Sequence, residues 1–296
     1  MLSGVQERLG PLKAWLFPQR VYLELQDQAI TGMVLSGRRL TWLEQLPLSP
    51  GLCSAGRPLN SSALADLLGD WLVECGYGSA RIRAVLPGAA SELRLLKGSG
   101  LERIAMPKEL EALRLPWPSE TAVDVMRSSL PSSPGSSVAV AVEAALLEDW
   151  IDVFADAGLA LDALEAASVC ALRSAVRQSG WLLGLEPEQS WLLRMEQGAP
   201  LWQWGLPPVV ELEALQNELS QCLRYWDTQA PRPRSIDVVA SAAVPASAQE
   251  ALRGSMTEDL EWMDPFRNAE LEDGLSEPRE WSLGLLWGLA AAELQR

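Results

Sequence analysis

The stretch that most constrains how this 296-residue chain can fold is residues 21–47, VYLELQDQAITGMVLSGRRLTWLEQLP. Three short apolar runs separated by two polar turns predict an antiparallel meander. Val21, Leu23 and Leu25 alternate with Tyr22 and Glu24, the period of a half-buried strand with Tyr22 and Glu24 on its solvent side. Residues 26–28 turn the chain, residues 30–35 return, residues 36–39 turn again, and residues 40–46 bring back Trp42. A helix then starts at an Asn60 cap, lines Leu64, Leu67, Leu68, Trp71 and Leu72 along one face, and ends at Gly76. Residues 80–87, ARIRAVLP, add a strand, so the chain opens β-β-β-α-β.

From Gly88 the pattern changes. Short strands are expected at 93–96 and 102–105, a helix from Pro107 to Leu113, and a rigid spacer at 115–118. Strands at 121–127 and 138–144 precede a helix over 146–157 that turns Trp150, Val153 and Phe154 inward. Residues 159–164 read as a strand and 166–179 as a further helix. A second half then restarts with a hairpin, 190–195 and 200–204, with Trp202 and Trp204 on one face. A long helix at 210–226, a strand at 235–240, a short helix at 249–253, a strand at 260–263 and a closing helix at 281–294 follow. The element order recurs in both halves and predicts a duplicated α/β architecture around a cleft. The expected organisation is a first subdomain at 1–87, an insert at 88–160, a return at 161–188, a second domain at 189–280 and a closing helix from 281.

Several function classes are excluded on composition. With no histidine, Ser-His-Asp and Cys-His catalysis and every histidine metal site are ruled out. A net charge of −15 opposes nucleic-acid binding and docking on anionic lipid. The four cysteines lie far apart with no C-x-x-C pair, which predicts free thiols in a reducing compartment and no metal site. The longest apolar run, about a dozen residues near the carboxyl end, falls short of the ~20 that a spanning helix needs. A cytoplasmic, membrane-free chain is expected.

In order and spacing the chain resembles the PilM family of type IV pilus assembly proteins. The strand-turn-strand from Val21 stands where that family has D-I-G-S-S-S-V-K. Val85-Leu86-Pro87, the Met106-Pro107-Lys108-Glu109-Leu110 and Leu115-Pro116-Trp117-Pro118 segments, Ala157-Gly158-Leu159, Asp264-Pro265-Phe266 and the closing helix fall in the family's order. The resemblance implies an actin-like two-domain fold, with RNase H-like halves around a cleft and an inserted small subdomain. It also implies three nucleotide loops, and all three depart from the family's pattern. Glu24, Leu25, Gln26 and Asp27 replace the first Asp-x-Gly; Arg194, Met195 and Glu196 replace the second; Ser241, Ala242 and Ala243, after Ala240, replace S-G-G. A phosphate cradle needs glycine for close backbone approach and a cation or hydroxyl to hold the charge. Bulk and negative charge at the first loop oppose both, so a pseudo-ATPase with weak or no ATP/Mg binding is expected, with no catalytic residue.

The resemblance further implies a cytoplasmic scaffold held at the inner membrane by a partner. That partner is a PilN-like single-pass protein, whose amino-terminal peptide would lie between the first subdomain and the insert, with PilO-like and motor-platform proteins indirectly attached. Leu86, Pro107, Trp117, Val140 and Trp150 are the groove candidates. Loss of such a protein would abolish pili, twitching and DNA uptake. Two alternatives stay open: an active actin-like ATPase or kinase with atypical loops, and a GspL-like scaffold of type II secretion.

Overall fold

The computed structural model describes residues 19–96, 117–127, 135–175, 177–228, 235–256, 259–263, 270–271 and 283–294. The meander is present: β1 (Arg20–Leu25), β2 (Ala29–Ser36) and β3 (Arg39–Pro47) run antiparallel, with Leu25 opposite Ile30 across the first turn. A two-stranded hairpin, β4 (Cys53–Ser54) and β5 (Arg57–Pro58), precedes α1 (Ser61–Glu74), which Asn60 caps by accepting from Ala63 N at 3.2 Å. β6 (Arg81–Leu86) then lies parallel to β1.

The insert contributes β7 (Ser91–Leu96), β8 (Thr121–Arg127) and β9 (Ser137–Glu143), all antiparallel. The chain returns through α2 (Ala144–Asp156), β10 (Ala160–Ala166) and α3 (Ala167–Ser174). The second half holds β11 (Gly180–Leu185), β12 (Ser190–Glu196), β13 (Ala199–Leu206), α4 (Leu212–Asp227), β14 (Ser235–Ala240), α5 (Ala246–Ser255) and β15 (Asp259–Trp262). The two-residue β16 (Glu270–Leu271) and α6 (Gly284–Leu294) follow.

Duplication is explicit in the strand order. The first sheet runs β10-β6-β1-β2-β3, with β16 added at its edge; the second runs β15-β14-β11-β12-β13. Each half thus centres on its first strand, antiparallel to its hairpin mate on one side and parallel to a later strand on the other. The insert strands continue the second sheet through a single pairing, Arg94 with Trp202. This is the duplicated α/β arrangement that the recurring element order predicts, with the insert strands added to the second sheet.

Three expectations need correction. The helix expected over 166–179 stops at Ser174, where Ala175 turns extended. The apolar run 180–185 is β11, hydrogen-bonded on both sides, so the second half opens at Gly180 rather than at 189. A short continuous apolar run has no period to distinguish strand from helix, which is why it was not legible. Third, Tyr22 and Glu24 do not face solvent; they are 6% and 1% exposed. β1 is covered on both faces. Val21, Leu23 and Leu25 pack with α1 and α2, while Tyr22 packs in a second core that contains α3 and α6. The segments expected at 102–105 and 107–113, and Pro107 with them, lie outside the described residues.

Candidate functional site

The first turn of each half projects into the space between the two sheets. From the first half come Glu24, Gln26 and Asp27, at the end of β1. From the second come Glu186 and Glu188, between β11 and β12, and the 241–243 loop after β14. Their hydrogen bonds cross the cleft. Gln26 Nε2 donates to Glu186 Oε2 at 3.2 Å and, more weakly, to Glu24 Oε1 at 3.4 Å. Ala242 N donates to both Glu24 oxygens at 3.2 and 3.3 Å. Asp27 N donates to Glu188 Oε1 at 3.1 Å.

Glu186 receives shorter bonds: Gly88 N at 2.7 Å and Trp191 Nε1 at 2.6 Å in addition to Gln26. Asp27 turns its carboxylate the other way, onto Ala55 N at 2.6 Å and Gly56 N at 2.8 Å. Those two residues have φ of +52° and +77°, so successive N–H groups converge into an anion-binding concavity. Trp150 fixes it from behind by donating Nε1 to Gly56 O at 2.9 Å in the core. A Trp150→Phe variant is therefore expected to lose about 1–3 kcal/mol of stability, because a buried carbonyl is left unpaired, readable as a lower urea midpoint at unchanged slope.

Chemically, the backbone N–H groups of Asp27, Ala55, Gly56, Gly88 and Ala242 are each answered by a carboxylate of the chain itself. Burial dominates the electrostatics. It pushes Glu24 up to about 8, with the Glu186 charge adding to the effect and Ser241, Ala242 and Gln26 opposing it. Burial raises Glu186 too, against the pull of Gly88, Trp191 and Gln26. Glu188 is raised to about 7 by burial and then by Asp27, and the Cys53 thiol is pushed up to about 12 by burial with Asp27 and Glu188 adding. No Lys or Arg hydrogen-bonds to Glu24, Asp27, Glu186 or Glu188 among the described residues. Groups of three or more ligating side chains arranged for a metal ion are likewise absent among the described residues.

A second site lies between the first subdomain and the insert. β8 and β10 are outer strands of their respective sheets, and they flank a groove of 430 Å³. Its apolar lining includes Leu86, Val123, Val140, Val142, Leu147 and Leu164; Asp124, Glu165 and Arg173 supply the charge. Arg83 and Arg173 both pair with the Glu165 carboxylate. A strand's outer edge presents unpaired backbone groups every second residue, so such a groove suits an extended peptide.

The predicted residues separate accordingly. Glu24, Gln26, Asp27, Ser241 and Ala242 are brought together in the cleft, with Ala243 beside them; Leu25 is core. Arg194, Met195 and Glu196 are not there. They end β12 at the far side of its strand, where Arg194 lies over the Trp181 and Trp226 rings and Met195 is core. The turn that meets Gln26 and Asp27 is 186–189, missed because β11 was missed; two apolar runs around Glu-Pro-Glu-Gln were the available signal. Of the groove candidates, Leu86 and Val140 line the groove. Trp117 instead lines a neighbouring 560 Å³ pocket and donates to Glu92 at 2.5 Å, and Trp150 is core. Trp202 and Trp204 do share a face, with ring centroids 4.9 Å apart and Trp204 exposed.

No protein-family model matches the chain, and no curated protein matches it by sequence. Among solved structures it superposes on a chain of the PilM-PilN type IV pilus biogenesis complex with a TM-score of 0.74 and 19% identity, covering 92% of this chain and 98% of that one. The cytoplasmic domain of EpsL, an inner-membrane component of the type II secretion system of Vibrio cholerae, gives 0.52 at 10% identity over 93% and 95% of the two chains. The ethanolamine utilization protein EutJ from Carboxydothermus hydrogenoformans gives 0.52 at 12% over 93% and 89%. At these identities the shared property is the fold: the chain has the actin-like two-domain fold, similar to that of the PilM-PilN complex chain.

Proposed function

We propose that this protein is a non-catalytic scaffold of a type IV pilus inner-membrane platform. It takes the cytoplasmic amino-terminal peptide of a PilN-like single-pass protein into the 430 Å³ groove between β8 and β10. The observation that carries the scaffold reading is the cleft. Glu24, Asp27 and Glu186 already occupy the backbone N–H groups of Ala242, Ala55, Gly56 and Gly88, and negative charge on Asp27 and Glu186 repels a triphosphate. The protein would sit on the cytoplasmic face of the membrane through that partner; no helix among the described residues is long and apolar enough to cross a bilayer.

The expected result of titrating the purified protein with ATP and magnesium is a melting temperature unchanged within about 1 °C. A saturable rise of several degrees would instead mark an active nucleotide site, since a ligand at a hundredfold its Kd adds roughly 2.7 kcal/mol. A second reading, a scaffold of type II secretion, draws on the likeness to EpsL. Co-purification separates the two: the pilus reading requires the PilN-like protein to be retained through its first residues.

A further inference from the structure

The cleft contains more hydrogen-bond acceptors than donors. Gln26 Oε1 and Glu188 Oε2 are buried and have no partner, although both side chains belong to the cross-cleft network. Neighbouring Glu24 and Glu186 are buried carboxyls that share one amide donor. A buried cluster of this composition lacks protons, and two neighbouring like charges oppose each other's ionisation.

The two glutamates are not equivalent. Glu186 accepts from Trp191, Gly88 and Gln26, two of these bonds being 2.6 and 2.7 Å, which suits a carboxylate. Glu24 accepts at 3.2–3.4 Å from Ala242 and Gln26, with the Ser241 hydroxyl as a further partner. The proton therefore belongs on Glu24 and the charge on Glu186.

We propose that Glu24 is a proton-held latch between the two halves. As a neutral acid it ties β1 to the 241–243 loop of the second half, and its ionisation opposite Glu186 parts them. Glu188, raised to about 7, titrates in the same range as Glu24, and Glu165, Arg173 and Arg83 lie around the neighbouring Cys170. Glu186 faces Glu24 from the β11–β12 turn and Cys170 from α3; Asp27, Glu188 and Cys53 form the adjoining group. The 241–243 loop and the 284–290 part of α6 carry no ionisable side chain.

The direction of the pH effect follows from burial. A carboxyl raised from 4.5 to about 8 on folding contributes fully below the unfolded value and loses that contribution as pH rises through the folded one. The wild-type melting temperature is thus expected to fall by roughly 5 °C or more between pH 5.5 and 8.5, given about 2–4 °C per kcal/mol in a protein of this size. Over the same range, hydrogen exchange corrected for its intrinsic pH dependence should rise in segments 22–28 and 240–244, with the interior of α4 unchanged.

Glu24→Gln keeps the shape, stays neutral and supplies an amide donor to a cluster short of them. It is expected to make the pH profile less steep, leaving the part that Glu188 contributes, and to exceed wild type at pH 8.5. Glu186→Gln should instead be destabilised at every pH, because in either amide orientation its new NH2 confronts one of the two donors, Gly88 N on Oε2 or Trp191 Nε1 on Oε1. A Glu24→Gln profile as steep as wild type would overturn the proposal. So would magnesium chloride, without nucleotide, raising the wild-type melting temperature at pH 8.5 but not that of Glu24→Gln, for the missing positive charge would then be a metal ion. Neither readout uses the groove or its partner, so failure here leaves the scaffold reading to its own test.

Discussion

Replacing Val123 by Glu is expected to weaken binding of the PilN-like amino-terminal peptide by about thirtyfold or more while leaving the fold intact. Val123 is half-buried on β8, the outermost strand of the second sheet, and it lines the groove opposite β10. Its partner on β9 is Ala141, so the larger side chain meets no bulky residue across the strand pair. A carboxylate there must be stripped of water when the groove fills, next to Asp124, which already carries negative charge. Truncating or charging a central hot spot typically removes about 2 kcal/mol or more, equivalent to that thirtyfold change. Isothermal titration with a synthetic peptide of the partner's first residues measures it, and loss of surface pili should accompany it in cells. Val73→Glu, on the 64%-exposed face of α1, serves as the control and should bind normally. Unchanged affinity in Val123→Glu would remove the groove from the peptide-binding reading.

The second large effect concerns stability. Gly288→Val is expected to prevent folding, or to lower stability by more than about 4 kcal/mol. A β-carbon at 288 would lie 1.8 Å from the Cys170 carbonyl oxygen and 2.5 Å from its carbon, both backbone atoms of α3. No rotamer relieves a clash with backbone, so α6 must move as a unit. It cannot move cheaply, because α6 contributes Leu285, Leu286, Leu289 and Ala290 to the core shared with Tyr22 and Val239. Overpacking and lost burial then act together. Gly254→Ala, in α5 with nothing within 4 Å of the new carbon, is the matched control. It should be neutral or stabilise by up to about 1 kcal/mol through helix propensity. Urea titrations of the two variants, followed by circular dichroism, separate them.

Much of the architecture was legible in the chain. Alternation in the opening meander, the Asn60 cap and the repeated element order led to the two-half arrangement, because periodicity and capping are local properties. The Ser241-Ala242-Ala243 loop was placed by the resemblance, anchored to the apolar strand before it. What failed did so where partners lie far apart in sequence. β11 shows no periodicity because it is paired on both sides and covered on both faces. Missing it displaced the second loop from 186–189 to 194–196.

By itself, then, the sequence determined which chemistry is unavailable. A chain with no histidine cannot perform imidazole catalysis, and one with no glycine in residues 24–28 cannot form a glycine turn there. Only the tertiary structure decided what fills the cleft instead. Alternation assigned Glu24 to the solvent, because a single strand's pattern cannot reveal that a helix more than 250 residues later covers its other face. Once both faces of β1 are dry, the same carboxyl becomes a buried acid 218 residues from the Ala242 N–H it accepts. Its protonation is set by that enclosure, which no local pattern of residues encodes.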